Sequence, residues 1–267
     1  MSTTYVKLNH ISDGKFACLR EISGHDEQST DGAGTFDAIQ LLDRLLVSVS
    51  ESNLAPGDAK KLTSSDRDRL LATVYMRLYG SRIESSINCV GCKVAFDIDF
   101  SLEDLVTQID SETNQIEIER QPDGVFKLPD GRRFRLPTGD DEYAILGKSS
   151  EEAEKILLER CVIEGDLNKD SEIVQQAMRD LAPVLDLDMD VKCPECDKQQ
   201  MVHFDIQYYL LSRIRQERKQ LAFEVHQLAK TYAWGLNEIL DLPRNIRKTY
   251  VALVEQELDL QRRRGIS

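Results

Sequence analysis

Two copies of the pattern Cys-x-x-Cys constrain this chain more than any other feature. They are Cys89-Val90-Gly91-Cys92 and Cys193-Pro194-Glu195-Cys196, with the 100 residues 93–192 between Cys92 and Cys193. The flanks of both alternate apolar and polar residues, the period-2 pattern of a strand with one buried face. Leu185, Leu187, Met189 and Val191 precede the second pair with Asp186, Asp188 and Asp190 between them, and Val202, Phe204 and Ile206 follow it. Ile83 and Ile87 precede the first, and Val94, Phe96, Ile98 and Phe100 follow, with Asp97 and Asp99 between. Each Cys-x-x-Cys therefore reads as the tip of a β-hairpin. Two such tips facing each other form a tetrahedral four-cysteine site for a structural Zn2+, with Cys89, Cys92, Cys193 and Cys196 as ligands. Phe96-Asp97-Ile98 and Phe204-Asp205-Ile206 stand at matching places after the two pairs, a faint trace of a duplicated hairpin-plus-helix unit.

Two details bear on that assignment. The residue after the second cysteine of a metal knuckle is often glycine, whereas here it is Lys93 or Asp197. His203 is near enough in sequence to compete as a ligand, although its strand position favours an ordinary surface or core histidine. A redox role needs the Cys-x-x-Cys at a helix N-terminus, where the dipole favours a thiolate, and strands on both sides argue against it. With cytosolic reducing conditions as the default, this spacing favours metal over disulfide. Cys18 and Cys161 stand alone and read as buried thiols.

Around the hairpins the chain reads as α+β, with helical segments and a small antiparallel meander. Residues 1–34 read as an N-terminal arm: short strands near Tyr5–Ile11 and Phe16–Ile22, then a Gly-rich loop or mobile stretch from Gly24 to Gly34. Residues 35–206 form the zinc-ribbon-centred domain. Phe36, Ile39, Leu42, Leu45 and Leu46 mark a helix continuing toward Val49, and Asn53–Gly57 breaks it. Thr63 caps a second helix ending at Gly80. Within this domain, residues 101–184 are an insertion between the hairpins. One or two helical turns follow Phe100. Three strand-like runs (Ile116–Arg120, Val125–Leu128, Arg132–Leu136) are separated by Pro122-Asp123-Gly124 and Pro129-Asp130-Gly131, both tight-turn sequences. Helices then begin near Gly139, over Glu151–Cys161 and over Ser171–Leu181. Residues 207–267 are a C-terminal helical region: one long helix or two from Gln207, a break at Ala233-Trp234-Gly235, two further helices and a frayed basic tail, Arg262–Gly265.

The balance of 47 acids against 34 bases gives a net charge of −13, which argues against general nucleic-acid binding, because phosphate neutralisation needs a basic face. The acids cluster at Asp140–Glu142 and Glu151–Glu154, and bases at Arg244, Arg247, Lys248 and Arg262–Arg264; both groups are expected on solvated faces. Apolar content of 41% and charged content of 30% fit a folded globular chain rather than a disordered one. No apolar run is long enough for a membrane span, and Met1-Ser2-Thr3-Thr4-Tyr5-Val6-Lys7 lacks the apolar core of a secretion signal. His10, His25, His203 and His226 occupy separate segments, and four cysteines around one zinc leave no open position for an activated water, so no enzyme is expected. Tyr232, Trp234, Leu236, Ile239 and Leu240 form either core packing or a groove for a partner helix.

The order of several segments resembles the T-even-phage-type baseplate hub assembly chaperone family of contractile phage tails and contractile injection systems. The segments are Leu62-Thr63-Ser64-Ser65-Asp66-Arg67-Asp68-Arg69-Leu70-Leu71, then Tyr79-Gly80 before the first cysteine pair, Phe134-Arg135-Leu136-Pro137 and Leu157–Cys161. The second cysteine pair with Phe204–Ile206 follows, then Leu228–Trp234 with Glu238–Leu240 and Leu242-Pro243. The resemblance spans about residues 60–258. It implies a non-enzymatic protein that binds tail or baseplate hub proteins in the cytoplasm of the producing bacterial cell, with retention in the finished baseplate left open. The competing reading is a zinc-ribbon module of a nucleic-acid-processing complex; a metal-dependent hydrolase lacks a visible base. Oligomeric state is not legible.

Overall fold

A computed structural model describes residues 3–10, 16–50, 54–113, 118–121, 124–166 and 170–264. Ile11, Asn53, Ile116, Pro122-Asp123 and Gly265, each invoked above, lie outside these residues.

Strands β1 (Thr3–Lys7) and β2 (Phe16–Arg20) pair antiparallel, and the short helix α1 (Gly24–Gln28) follows. The expectation of a loop beginning at Gly24 is therefore corrected. Val6, Leu8, Ala17, Leu19 and Ile22 are buried in the main core, and that burial holds the N-terminal segment down. Helix α2 (Thr35–Leu45) buries Ile39, Leu42 and Leu45. It stops short of Val49 because Leu46 leaves the helix to bridge Leu19, and the Val47 N–H donates to the Cys18 carbonyl at 2.9 Å. Phe36, expected on the apolar stripe, is exposed and packs edge-on against Tyr143.

Helix α3 (Ser64–Tyr79) runs through the centre, with Leu70, Leu71 and Tyr75 fully buried. The Thr63 hydroxyl caps it by accepting the Asp66 N–H at 3.2 Å, and Gly80 ends it. Its polar first turns are also mostly buried, and each side chain holds a different distant segment. Asp66 accepts the amides of Asn9 and His10 at 2.8 and 3.0 Å. Arg67 forks onto Glu142, Asp68 accepts the Leu185 N–H at 2.9 Å, and Arg69 forks onto Asp110.

The two cysteine hairpins are as expected: β3 (Arg82–Asn88) with β4 (Ala95–Ser101), and, after the insertion, β9 (Asp186–Lys192) with β10 (Gln199–Asp205). Phe100 and Phe204 meet edge-on, with ring centres 5.0 Å apart. Between the hairpins, α4 (Leu102–Thr113) is longer than the one or two turns expected. The meander β5 (Glu119–Arg120), β6 (Phe126–Lys127) and β7 (Arg133–Phe134) gains a fourth strand, β8 (Val162–Glu164), from well downstream. Gly131 takes the positive φ of 91° that its turn requires. Helices α5 (Gly139–Ala144), α6 (Ser150–Cys161) and α7 (Ser171–Leu181) complete the insertion. Phe126, Leu128, Phe134, Leu136, Val174, Ala177 and Leu181 give it a core of its own. It docks closely on α2: a Cβ at Gly139 would lie 2.7 Å from Ile39 Cδ1.

After β10, α8 (Ile206–Gln216) and α9 (Arg218–Tyr232) are separate helices broken at Glu217, and α10 (Leu236–Asp241) and α11 (Arg244–Arg264) follow. The basic end is helical to Arg264 rather than frayed. Two of its bases are not on a solvated face. Arg247 is 1% exposed and donates to Glu224 and Glu27 at 2.7 and 2.8 Å; Arg244 is buried with Glu27 and Glu217. Among the mid-chain acids, Glu151, Glu152 and Glu154 are exposed as expected, but Asp141 is buried against Arg135 and Arg160. Burial raises its carboxyl, yet Arg135, the Thr138 amide and Arg160 outweigh burial and leave it far below the usual carboxylate range. Cys18 and Cys161 are buried free thiols.

Asp68 yields a pH-dependent prediction. Burial pushes its carboxyl from 3.8 up to about 7, so the folded protein binds this proton more tightly than the unfolded chain does. The cost of the charged form is absent below about pH 4, grows to about pH 7 and is constant above, reaching about 4 kcal/mol at 1.36 kcal/mol per unit. Asp68→Asn keeps an acceptor for the Leu185 amide without the charge. In urea unfolding it is expected to gain at least about 1 kcal/mol over wild type at pH 8, with that gain vanishing near pH 4.

Candidate metal centre

Each cysteine turn is built by the same backbone bonds. The Cys89 amide donates to the Val94 carbonyl at 3.0 Å and the Lys93 amide to the Cys89 carbonyl at 3.0 Å. In the second hairpin Cys193 donates to Lys198 at 2.9 Å and Asp197 to Cys193 at 3.0 Å. These turns place the residue after the second cysteine in the left-handed region, with φ of 64° at Lys93 and 58° at Asp197. That geometry explains why glycine is common there; this chain accepts the strain of a side chain instead.

The tips meet so that the sulfurs of Cys89, Cys92, Cys193 and Cys196 all lie within 4.8 Å of one another. Cys89 Sγ is 3.6 Å from Cys196 Sγ, and Cys92 Sγ is 3.8 Å from Cys193 Sγ. A tetrahedron with Zn–S bonds of about 2.3 Å has sulfur edges of about 3.8 Å, so the donor set fits zinc in both chemistry and size. Cys89 and Cys193 are buried, Cys92 and Cys196 exposed, with Phe96, Ile87, Ile98 and Val191 packed beneath. Gln200 joins the hairpins: its Oε1 accepts the Val90 amide at 2.8 Å and its Nε2 donates to the Asn88 carbonyl at 3.3 Å.

The electrostatics favour a bound cation. The amides of Cys92 and Gly91 bring the Cys89 thiol down to about 6, helped by the facing thiols of Cys196 and Cys193. The Val94 amide also draws Cys92 down, but loss of water and the three neighbouring sulfurs push it up to about 11. Four sulfurs this close carry four negative charges only when a cation neutralises them. Cysteine thiolates select zinc or another soft metal over magnesium or calcium. Four ligands complete a tetrahedron, so a bound zinc would crosslink the hairpins and offer no position for an activated water.

His203 is not part of this cluster. Its ring lies on the exposed side of β10, 3.1 Å from both Asp186 and Asp188, and the Asp188 hydrogen bond leads the effects that raise its pKa. Among the described residues, the cysteine quartet is the one group of three or more His, Cys, Asp or Glu residues arranged to hold a metal.

The suggested partner surface is only partly present. Tyr232 stacks on Trp234 at 4.8 Å, and Trp234 meets Tyr250 edge-on at 5.0 Å. Leu236 is 55% exposed, but Ile239 and Leu240 are 0% and 3% exposed. Of the two readings left open for these residues, Ile239 and Leu240 take the core one, because α10 turns them inward against α9 and α1. Leu253 on α11 and Phe223 on α9 are also exposed.

Cys193→Ser is expected to reduce bound zinc, by elemental analysis, from one equivalent to well below one, and to lower the melting temperature steeply. A structural zinc contributes about 10–16 kcal/mol of apparent binding free energy, so chelation of the wild type is expected to act in the same direction. Lys93→Gly, which relieves the left-handed strain, is expected to leave zinc content unchanged and to stabilise by about 0.5–1 kcal/mol in thermal or urea unfolding.

No curated protein and no solved structure matches this chain. A family described as T4 bacteriophage base plate protein matches residues 37–210. That span includes all four cysteines and the polar first turns of α3; compared with the resemblance over about 60–258, it starts earlier and stops within α8, before Trp234. The match covers more than half of the sequence, and the chain belongs to this family of baseplate proteins.

Proposed function

We propose that this baseplate protein is a non-enzymatic hub assembly chaperone or hub-associated component of a contractile tail or contractile injection system. In this reading the four-cysteine cluster holds a structural zinc, and the protein works by binding tail or hub proteins in the cytoplasm of the producing bacterial cell. The observation that carries it is the match over residues 37–210, with a cysteine quartet that fits closed rather than catalytic coordination. Among the described residues, His25 and His203 pair with surface aspartates.

The C-terminal helices supply a candidate docking surface in the half-buried Tyr232–Trp234–Tyr250 stack beside exposed Leu236. Aromatic side chains with one free face are common interface anchors. The zinc-ribbon reading as a nucleic-acid reader loses support, because Arg244 and Arg247 are buried against glutamates rather than displayed. No helix among the described residues is long and apolar enough to cross a membrane.

Affinity capture of the tagged protein from producing cells, read by mass spectrometry, is expected to recover hub or tail proteins. Loss of the gene is expected to leave particles with an incomplete hub. Normal tails with a complete hub in its absence would refute the proposal.

A further inference from the structure

Between α8 and β3 lies a groove of about 760 Å3 that the proposed function does not use. The Tyr209 hydroxyl ties the two elements together by donating to the Glu84 carbonyl at 2.7 Å. Ser85 and Ser86 line the β3 side, and Tyr208, Ser212, Arg213 and Arg215 line the α8 side. These side chains offer hydroxyls and guanidinium groups rather than an apolar floor.

The charge of the groove runs against that of the chain. The sequence carries a net charge of −13, and arginines elsewhere meet carboxylates, as Arg67, Arg69, Arg135 and Arg244 do. Arg213 and Arg215 meet no carboxylate among the described residues. Arg213 is half-buried and held in place by α3: its guanidinium lies 4.0 Å from the centre of the Tyr79 ring and donates to the Tyr75 hydroxyl at 2.8 Å. Neither contact neutralises the charge, and an arginine has further N–H donors to give. Arg215 is exposed. Arg218 also lines the groove, but Asp31 and the carbonyls of Gln28 and Thr30 already engage it. Glu84, exposed on the β3 side, makes an ion pair with neither Arg213 nor Arg215.

A guanidinium already fixed by packing loses little freedom on meeting an anion. We propose that this groove binds an extended acidic segment of a partner polypeptide, whose carboxylates pair with Arg213 and Arg215. The layout favours an extended chain. The α8 side runs from Tyr208 to Gln216, about 12 Å of helix, with its donors strung along it. A phosphate group is held by donors that converge on one point, whereas an extended chain presents side chains on one face about every 7 Å. The hydroxyls of Ser85, Tyr208 and Ser212 have no partner among the described residues and can meet main-chain groups; that of Ser86 is engaged by Asp97. A nucleic acid is disfavoured by Glu84 at the groove and by the acidity of the rest of the chain. None of the lining residues belongs to the Trp234 stack, so failure here would leave the proposed function standing.

The test uses the full chain and N-acetyl-Glu-Ser-Glu-Ser-Glu-amide, with the matching Gln peptide as the uncharged control, followed by NMR. The acidic peptide is expected to shift the amides of Ser85, Ser212 and Arg215 and to bind at least about tenfold more tightly than the control. Added salt is expected to weaken that binding. Arg215→Gln is expected to weaken it about tenfold with the melting temperature unchanged, because the side chain is exposed. Glu84→Gln, which removes the opposing charge, is expected to strengthen it several-fold. Equal binding of the two peptides, no effect of Arg215→Gln, or shifts confined to other surfaces would each overturn the proposal. So would tighter binding at these residues by inorganic phosphate or by a thymidine oligonucleotide.

Discussion

The structure depends most on the first two turns of α3. A helix start ordinarily faces water, because its charged residues are costly to bury without partners. Here Asp66, Arg67 and Asp68 are buried, and Arg69 reaches a partner on another helix. Each is paired with a group far away in sequence: the turn after β1, α5, the entry to β9 and α4. Thr63 adds a β-bridge to Thr138. The N-terminal hairpin, the insertion and the second cysteine hairpin are thus registered against one rigid rod. Apolar contact around Leu70, Leu71 and Tyr75 supplies most of the driving force; the polar contacts fix which segment goes where.

The cysteine cluster completes this arrangement from the other side. The two hairpins flank a long insertion that has its own small core, and their packing rests on a few aromatic and apolar contacts and on Gln200. A zinc bridging the tips would close the loop formed by the insertion and limit how far the hairpins can separate. In that role a bound metal would clamp the frame.

The hairpins were legible because a strand facing a core on one side must alternate, and because four cysteines at this spacing have few other uses. The cap at Thr63 and the stop at Gly80 were legible because they depend on local backbone chemistry. The N-terminal segment was misread because its glycines and polar residues look like a loop, whereas Asp26 and Glu27 are buried by Arg20 and by Arg244 and Arg247 from more than 200 residues away. The strand β8 was missed for a similar reason: Val162–Glu164 becomes a strand only because the edge of β7 is there to pair with it. Ile239 and Leu240 sit on the same short helix as Leu236, and periodicity cannot say which neighbours will cover which side.

The amino-acid sequence alone determined the elements whose causes are local: the alternating strands, the helix caps, the tight turns and the paired spacing of Cys89, Cys92, Cys193 and Cys196. Tertiary structure decided whether those sulfurs converge, which charges are buried and which apolar residues remain free. Those outcomes depend on pairings between residues remote in sequence, such as Arg247 with Glu27 or Asp68 with the Leu185 amide. A buried charge looks in sequence like any exposed one. Only its neighbours in space make it a joint.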